Sequence, residues 1–112
     1  MVSKELIAAS TRPLVLAVLS RGESYGYAII QEVRELSHGE LEWSEGMLYP
    51  VLHRMERDKL IISSWKVSDG GRRRKYYRLS ASGTRAIETE RKQWFSVHDT
   101  LSALWGVKPC LT

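Results

Sequence analysis

Apolar residues at helical spacing open the chain: Leu6, Ile7, Leu14, Leu16, Ala17 and Leu19 fall within residues 5–20 and predict a helix. Pro13 lies inside that run. It lacks an N–H and disfavours helical backbone at Arg12, so the pattern predicts two pieces or a kink. Arg21-Gly22-Glu23-Ser24 closes the segment, with Gly22 suited to the residue after the helix and Ser24 to the N-cap of the next one. From Tyr25 to Leu36, the residues Ile29, Ile30, Val33 and Leu36 make one apolar face, which His38-Gly39 ends. Ser44 is placed to cap a third helix reaching Asp58, with Leu48, Val51, Leu52 and Met55 as its buried stripe. Pro50 implies that regular bonding in this helix starts near Gly46, with the proline close to the first turn.

Two β-prone runs follow, Leu60–Val67 and Arg73–Leu79. Ser68-Asp69-Gly70-Gly71-Arg72 separates them, and Asp-Gly between such runs signals a hairpin. Ser80-Ala81-Ser82-Gly83 then leads into a long helix over residues 84–105. Helix, helix, helix, hairpin, helix is the layout of a winged helix-turn-helix: a mainly α fold with a β-hairpin wing and a long C-terminal helix. Residues 1–83 make the winged region, and 84–112 the C-terminal helix and tail. In such an architecture one helix enters the major groove of DNA while the hairpin reaches phosphates or the minor groove.

Charge sharpens that picture. The net charge is +4, and residues 41–83 alone carry +4 while residues 1–40 carry −1. Lys59, Lys66, Arg72, Arg73, Arg74, Lys75 and Arg78 face a single acid, Asp69, within residues 59–78. Such an excess marks either a polyanion contact or a solvated basic surface. Its position on the hairpin favours DNA, whereas a winged-helix protein-interaction module without a DNA target is the competing reading.

Other classes find little support. No apolar run approaches the ~18 residues of a membrane span, and Met1 to Glu5 does not resemble the start of a signal peptide. Cys110 stands alone, and His38, His53 and His98 lack ligand spacing. There is no phosphate loop and no nucleophile–base pattern. The expectation is a cytoplasmic protein that is not an enzyme and needs neither metal nor cofactor.

Several stretches together resemble the PadR family of bacterial regulators. Ser24-Tyr25-Gly26-Tyr27-Ala28-Ile29 is similar to the family's opening of helix two, and Gly46-Met47-Leu48-Tyr49-Pro50-Val51-Leu52-His53-Arg54-Met55-Glu56 to its recognition-helix signature. Gly71-Arg72-Arg73-Arg74-Lys75-Tyr76-Tyr77-Arg78-Leu79-Ser80 resembles its second wing strand, with Gly83 in place. The matches are in order and span residue 4 to about residue 105. Lys59 departs from the pattern, standing where the family usually has glycine, and Met55 replaces a common leucine.

The candidate DNA contacts are Tyr27, Met47, Tyr49, His53, Arg54, Arg72, Arg73, Arg74 and Lys75. Tyr49 has a hydroxyl that can donate to a phosphate near a helix N-terminus, or it packs between helices two and three; Tyr27 carries the same two readings. Arg54 can read guanine or hold phosphate, and Met47 offers only apolar contact. Alternation along the second strand makes Tyr77 structural and Tyr76 more exposed. On the last helix Ile87, Trp94 and Leu101 repeat every seven residues, with Val97 and Leu104 three beyond the last two. That seam suits another helix, either one within the monomer or a partner's. Two tryptophans on a terminal helix, Trp94 and Trp105, favour the partner's and hence a homodimer. The resemblance implies pairing through this helix and the N-terminal one. It further implies a flat hydrophobic effector cavity at the dimer axis, with Trp94 as its aromatic and Val97, His98, Leu101 and Ile7 beside it.

Overall fold

Three serines start three of the helices in the computed structural model, which describes residues 2–106. The side chains of Ser3, Ser44 and Ser80 accept hydrogen bonds from the backbone N–H groups of Leu6 (3.2 Å), Met47 (3.2 Å) and Gly83 (3.0 Å). Each cap is worth about 1 kcal/mol. They open α1 (Lys4–Ser20), α3 (Glu45–Arg57) and α4 (Ala81–Trp105). The remaining elements are β1 (Ser24–Tyr25), α2 (Gly26–Leu36), β2 (Ile61–Val67) and β3 (Arg73–Leu79). The architecture is mainly helical, with the antiparallel strand order β1-β3-β2. Cys110 and the end of the 84–112 region lie outside the described residues.

Several local expectations change. The first helix is one element that runs through Pro13. The carbonyl that the proline cannot serve is that of Ala9, an exposed residue whose carbonyl water can reach. Ser24 is not a cap: it pairs with Tyr77 in β1, and Tyr25, with no side-chain cap bond, precedes α2. Pro50 lies beyond the first turn of α3, tolerated because its would-be partner Gly46 is exposed. Leu36 points to solvent although its spacing put it on the apolar face.

The core joins Val15, Leu16 and Leu19 of α1 to Ile29 and Val33 of α2, Leu48, Leu52 and Met55 of α3, and Ile61 and Tyr77 of the sheet. Arg73 pairs with Val67 and Leu79 with Ile61 across the hairpin. Its turn closes through Gly71 N–H to the Ser68 carbonyl and Ser68 N–H to the Arg72 carbonyl, both 2.8 Å. Gly71 takes a φ of 79°, the left-handed backbone that a three-residue hairpin loop demands.

The joint between α3, β2 and α4 is tight. After α3 the Leu60 N–H returns to the Met55 carbonyl (2.9 Å) and the Lys59 N–H to that of Glu56 (3.0 Å). This closing motif puts Lys59 at φ 63°, which explains why glycine suits the position. The Ser80 hydroxyl donates to the Lys59 carbonyl (2.6 Å), and the Ser80 N–H to that of Leu60 (3.0 Å). The first turn of α4, which starts three residues before the expected residue 84, is thereby fixed to the wing.

Candidate nucleic-acid interface

An open groove of about 660 Å³ lies between α3, the start of α2 and the hairpin. Tyr49 and His53 line it from α3, Tyr25 and Tyr27 from β1 and α2, and Trp65 and Arg72 to Lys75 from the hairpin. Tyr49 reaches across to α2: a Cβ at Gly26 would lie 2.5 Å from its hydroxyl oxygen, so glycine is what lets the two helices meet here. Burial, then the Glu45 carboxylate, push the Tyr49 hydroxyl up, so it stays a neutral donor facing the groove. Tyr27 is 56 % exposed at the rim.

Aromatic rings carry the wing's cations. The Arg73 guanidinium lies 5.1 Å from the Trp65 ring centre, and that of Arg74 lies 4.5 Å from the Tyr25 ring. Tyr25 meets Tyr76 edge-on at 5.3 Å. Resting on a ring restrains a guanidinium while leaving its edge N–H donors available to an anion. Lys66 and Lys75 also lie over rings, those of Tyr76 (5.4 Å) and Tyr77 (5.6 Å). Each pairs with a carboxylate besides, Lys66 with Glu23 and Lys75 with Glu56 at 3.5 Å.

At the opposite end, α4 packs on α1, and Arg12 pairs with Glu90 across them at 3.2 Å. Leu6, Leu14, Ala17, Ile87, Trp94 and Phe95 line an apolar cavity of about 440 Å³ between the two helices. Further along α4 the side chains of Val97, His98, Leu101 and Leu104 are exposed.

The profile of the PadR-like transcriptional regulator family matches residues 15–89. The chain belongs to the PadR-like family. It is 36 % identical over 89 residues to a transcriptional regulator of Mycobacterium tuberculosis, covering 80 % of this chain and 79 % of that one. A PadR family transcription regulator from Clostridium difficile is 33 % identical with a TM-score of 0.76, covering 86 % of this chain and 98 % of the other. A PadR-like transcriptional regulator from Bacillus cereus is 29 % identical with a TM-score of 0.81, covering 91 % and 97 %. As a PadR-like protein it is a transcriptional regulator and not an enzyme. Among the described residues no helix is long and apolar enough to cross a membrane.

In this PadR-like chain the fold brings Tyr27, Tyr49, His53 and Arg72 to Lys75 into one groove. Arg54 is exposed on α3 but lies outside the groove's lining. Met47, expected in the groove, faces the other way: it is half-buried, and the Thr11 hydroxyl donates to its sulfur at 3.8 Å. Two residues before Tyr49, it sits on the side of α3 that faces α1. Ile7 departs similarly. It packs on the core, and its neighbour Leu6 lines the cavity instead. Ile87 also leans on its own domain's core, leaving Trp94, Val97, Leu101 and Leu104 as the exposed part of the seam. Trp65, Tyr25, Glu56 and Phe95 were not singled out from the sequence. A tryptophan in the β-prone run facing the arginine run across the hairpin was the available signal for the first; it pairs with Lys75, two pairs from Arg73.

Proposed function

We propose that this protein is a dimeric repressor that binds two-fold symmetric operator DNA in the cytoplasm and is released by a small aromatic or otherwise hydrophobic effector. The observation that carries the DNA reading is the pair of ring-supported guanidinium groups, Arg73 and Arg74, on the wall of a groove whose other wall is α3. In this reading α3 offers Tyr49, His53 and Arg54 to the DNA, and Arg72 to Arg74 hold backbone phosphates.

The exposed row Trp94, Val97, Leu101 and Leu104 supports pairing through α4, since large apolar side chains gathered on one helix face favour a partner. Residues 1–83 then read the operator and 84–112 join the protomers. The apolar cavity beside Trp94 supports an effector whose binding changes the spacing of the two recognition helices. Footprinting on the DNA upstream of the protein's own gene tests the reading. Protection of a two-fold symmetric site, relieved by a flat aromatic compound, is the expected result. Absence of any protected site on that DNA argues for a protein partner instead.

A further inference from the structure

A carboxylate beside a surface meant for phosphates repels the ligand, so it needs a geometric reason to be there. Glu56 stands in the last turns of α3 and touches both wing strands. One oxygen accepts the Ser63 hydroxyl of β2, and the other pairs with the Lys75 ammonium of β3 at 3.5 Å. Ser63 first, then Lys75, hold the Glu56 carboxyl below its ordinary value, so it is charged at neutral pH. The Lys75 ammonium also rests 5.6 Å from the Tyr77 ring centre, and its side chain is less exposed than that of Glu56. Lys75 is thus part of the groove wall, and its cation rests on a ring as those of Arg73 and Arg74 do, but its charge is directed back at a carboxylate of α3.

We propose that Glu56 is a positioning residue: it staples both wing strands to the recognition helix and withholds the Lys75 ammonium from the DNA backbone. The proposal rests on the groove being the DNA interface. Fixing the wing against α3 fixes where phosphates sit relative to the bases that α3 reads, which is register and therefore specificity. Withholding one cation lowers the attraction common to all DNA. Both consequences raise the preference for operator over unrelated sequence.

The test uses the full chain with Glu56→Gln, Ser63→Ala, Lys75→Met and the Glu56→Gln/Lys75→Met pair. Binding to the footprinted operator and to an unrelated duplex is titrated across a salt series. Glu56→Gln frees Lys75 to take a phosphate, so the slope of log K against log salt steepens by about 0.9. The operator preference falls on the order of tenfold, the size of one mismatched base pair. In the Lys75→Met background the same change adds nothing to the slope. Ser63→Ala loosens the staple while the ion pair stays, so preference falls with an unchanged slope; it also serves if Glu56→Gln melts below the assay temperature. Parental slope and preference in both Glu56→Gln and Ser63→Ala overturn the role of Glu56 while leaving the DNA reading intact. A parent protein with no salt-dependent DNA binding overturns both.

Discussion

Gly83 lies directly under the backbone of Leu60: a Cβ at Gly83 would come within 2.0 Å of the Leu60 carbonyl oxygen. That oxygen also accepts from the Ser80 N–H, so it cannot move away without breaking the joint between wing and α4. Gly83→Ala should therefore destabilise the protein by about 3 kcal/mol, the upper part of the overpacking range. Denaturant unfolding measures it, and a loss below about 1 kcal/mol would mean that the joint yields.

Lys59 holds left-handed backbone at φ 63° with an exposed side chain. That conformation costs a side-chain-bearing residue about 1–2 kcal/mol, against about 0.5–1 kcal/mol of extra chain entropy for glycine. Lys59→Gly is expected to stabilise the fold by about 0.5–1 kcal/mol. A lower melting temperature in the variant would contradict the assignment of strain at this turn.

Tyr77 supplies a pH dependence. Burial, then the Glu56 carboxylate and the Tyr49 hydroxyl, push its own hydroxyl from about 10 up to about 12. The unfolded chain ionises first, so this contribution is intact below about pH 10 and is lost as pH rises through about 12. Unfolding midpoints of the parent should fall more steeply over that window than those of Tyr77→Phe. Parallel curves would place the hydroxyl in water.

The helices and the hairpin were legible because their signals are local: apolar spacing, serine caps and an Asp-Gly turn. β1 was not, since two residues have no periodicity and Ser24-Tyr25 is a strand only because β3 lies beside it. The same limit explains the site. Arg73 and Arg74 were visible as charge, but the rings beneath them come from β2 and β1, and only the three-stranded sheet brings them together. Lys75 looked equivalent to its neighbours in sequence, and its partner on α3 sets it apart. A heptad repeat likewise cannot separate Ile87, which leans on its own core, from Leu101, which is exposed.

Leu101 tests the proposed pairing of protomers. It is exposed on α4 beside Val97 and Leu104, so Leu101→Glu should leave each protomer folded. In a dimer the same change buries an unpaired charge on each side of the seam, at several kcal/mol. Sedimentation at micromolar concentration is expected to show monomers. An undisturbed dimer would assign the interface to another face.

The salt dependence of DNA binding, measured for the parent and for Arg73→Ala/Arg74→Ala together, bears most directly on the central claim. If both ring-supported guanidinium groups hold phosphates, the double variant binds operator and unrelated duplex more weakly by similar factors. The slope of log K against log salt should then become shallower by about 1.8, or about 0.9 per lost contact. An unchanged slope would contradict the account, because the wing's arginines would then not be at the DNA.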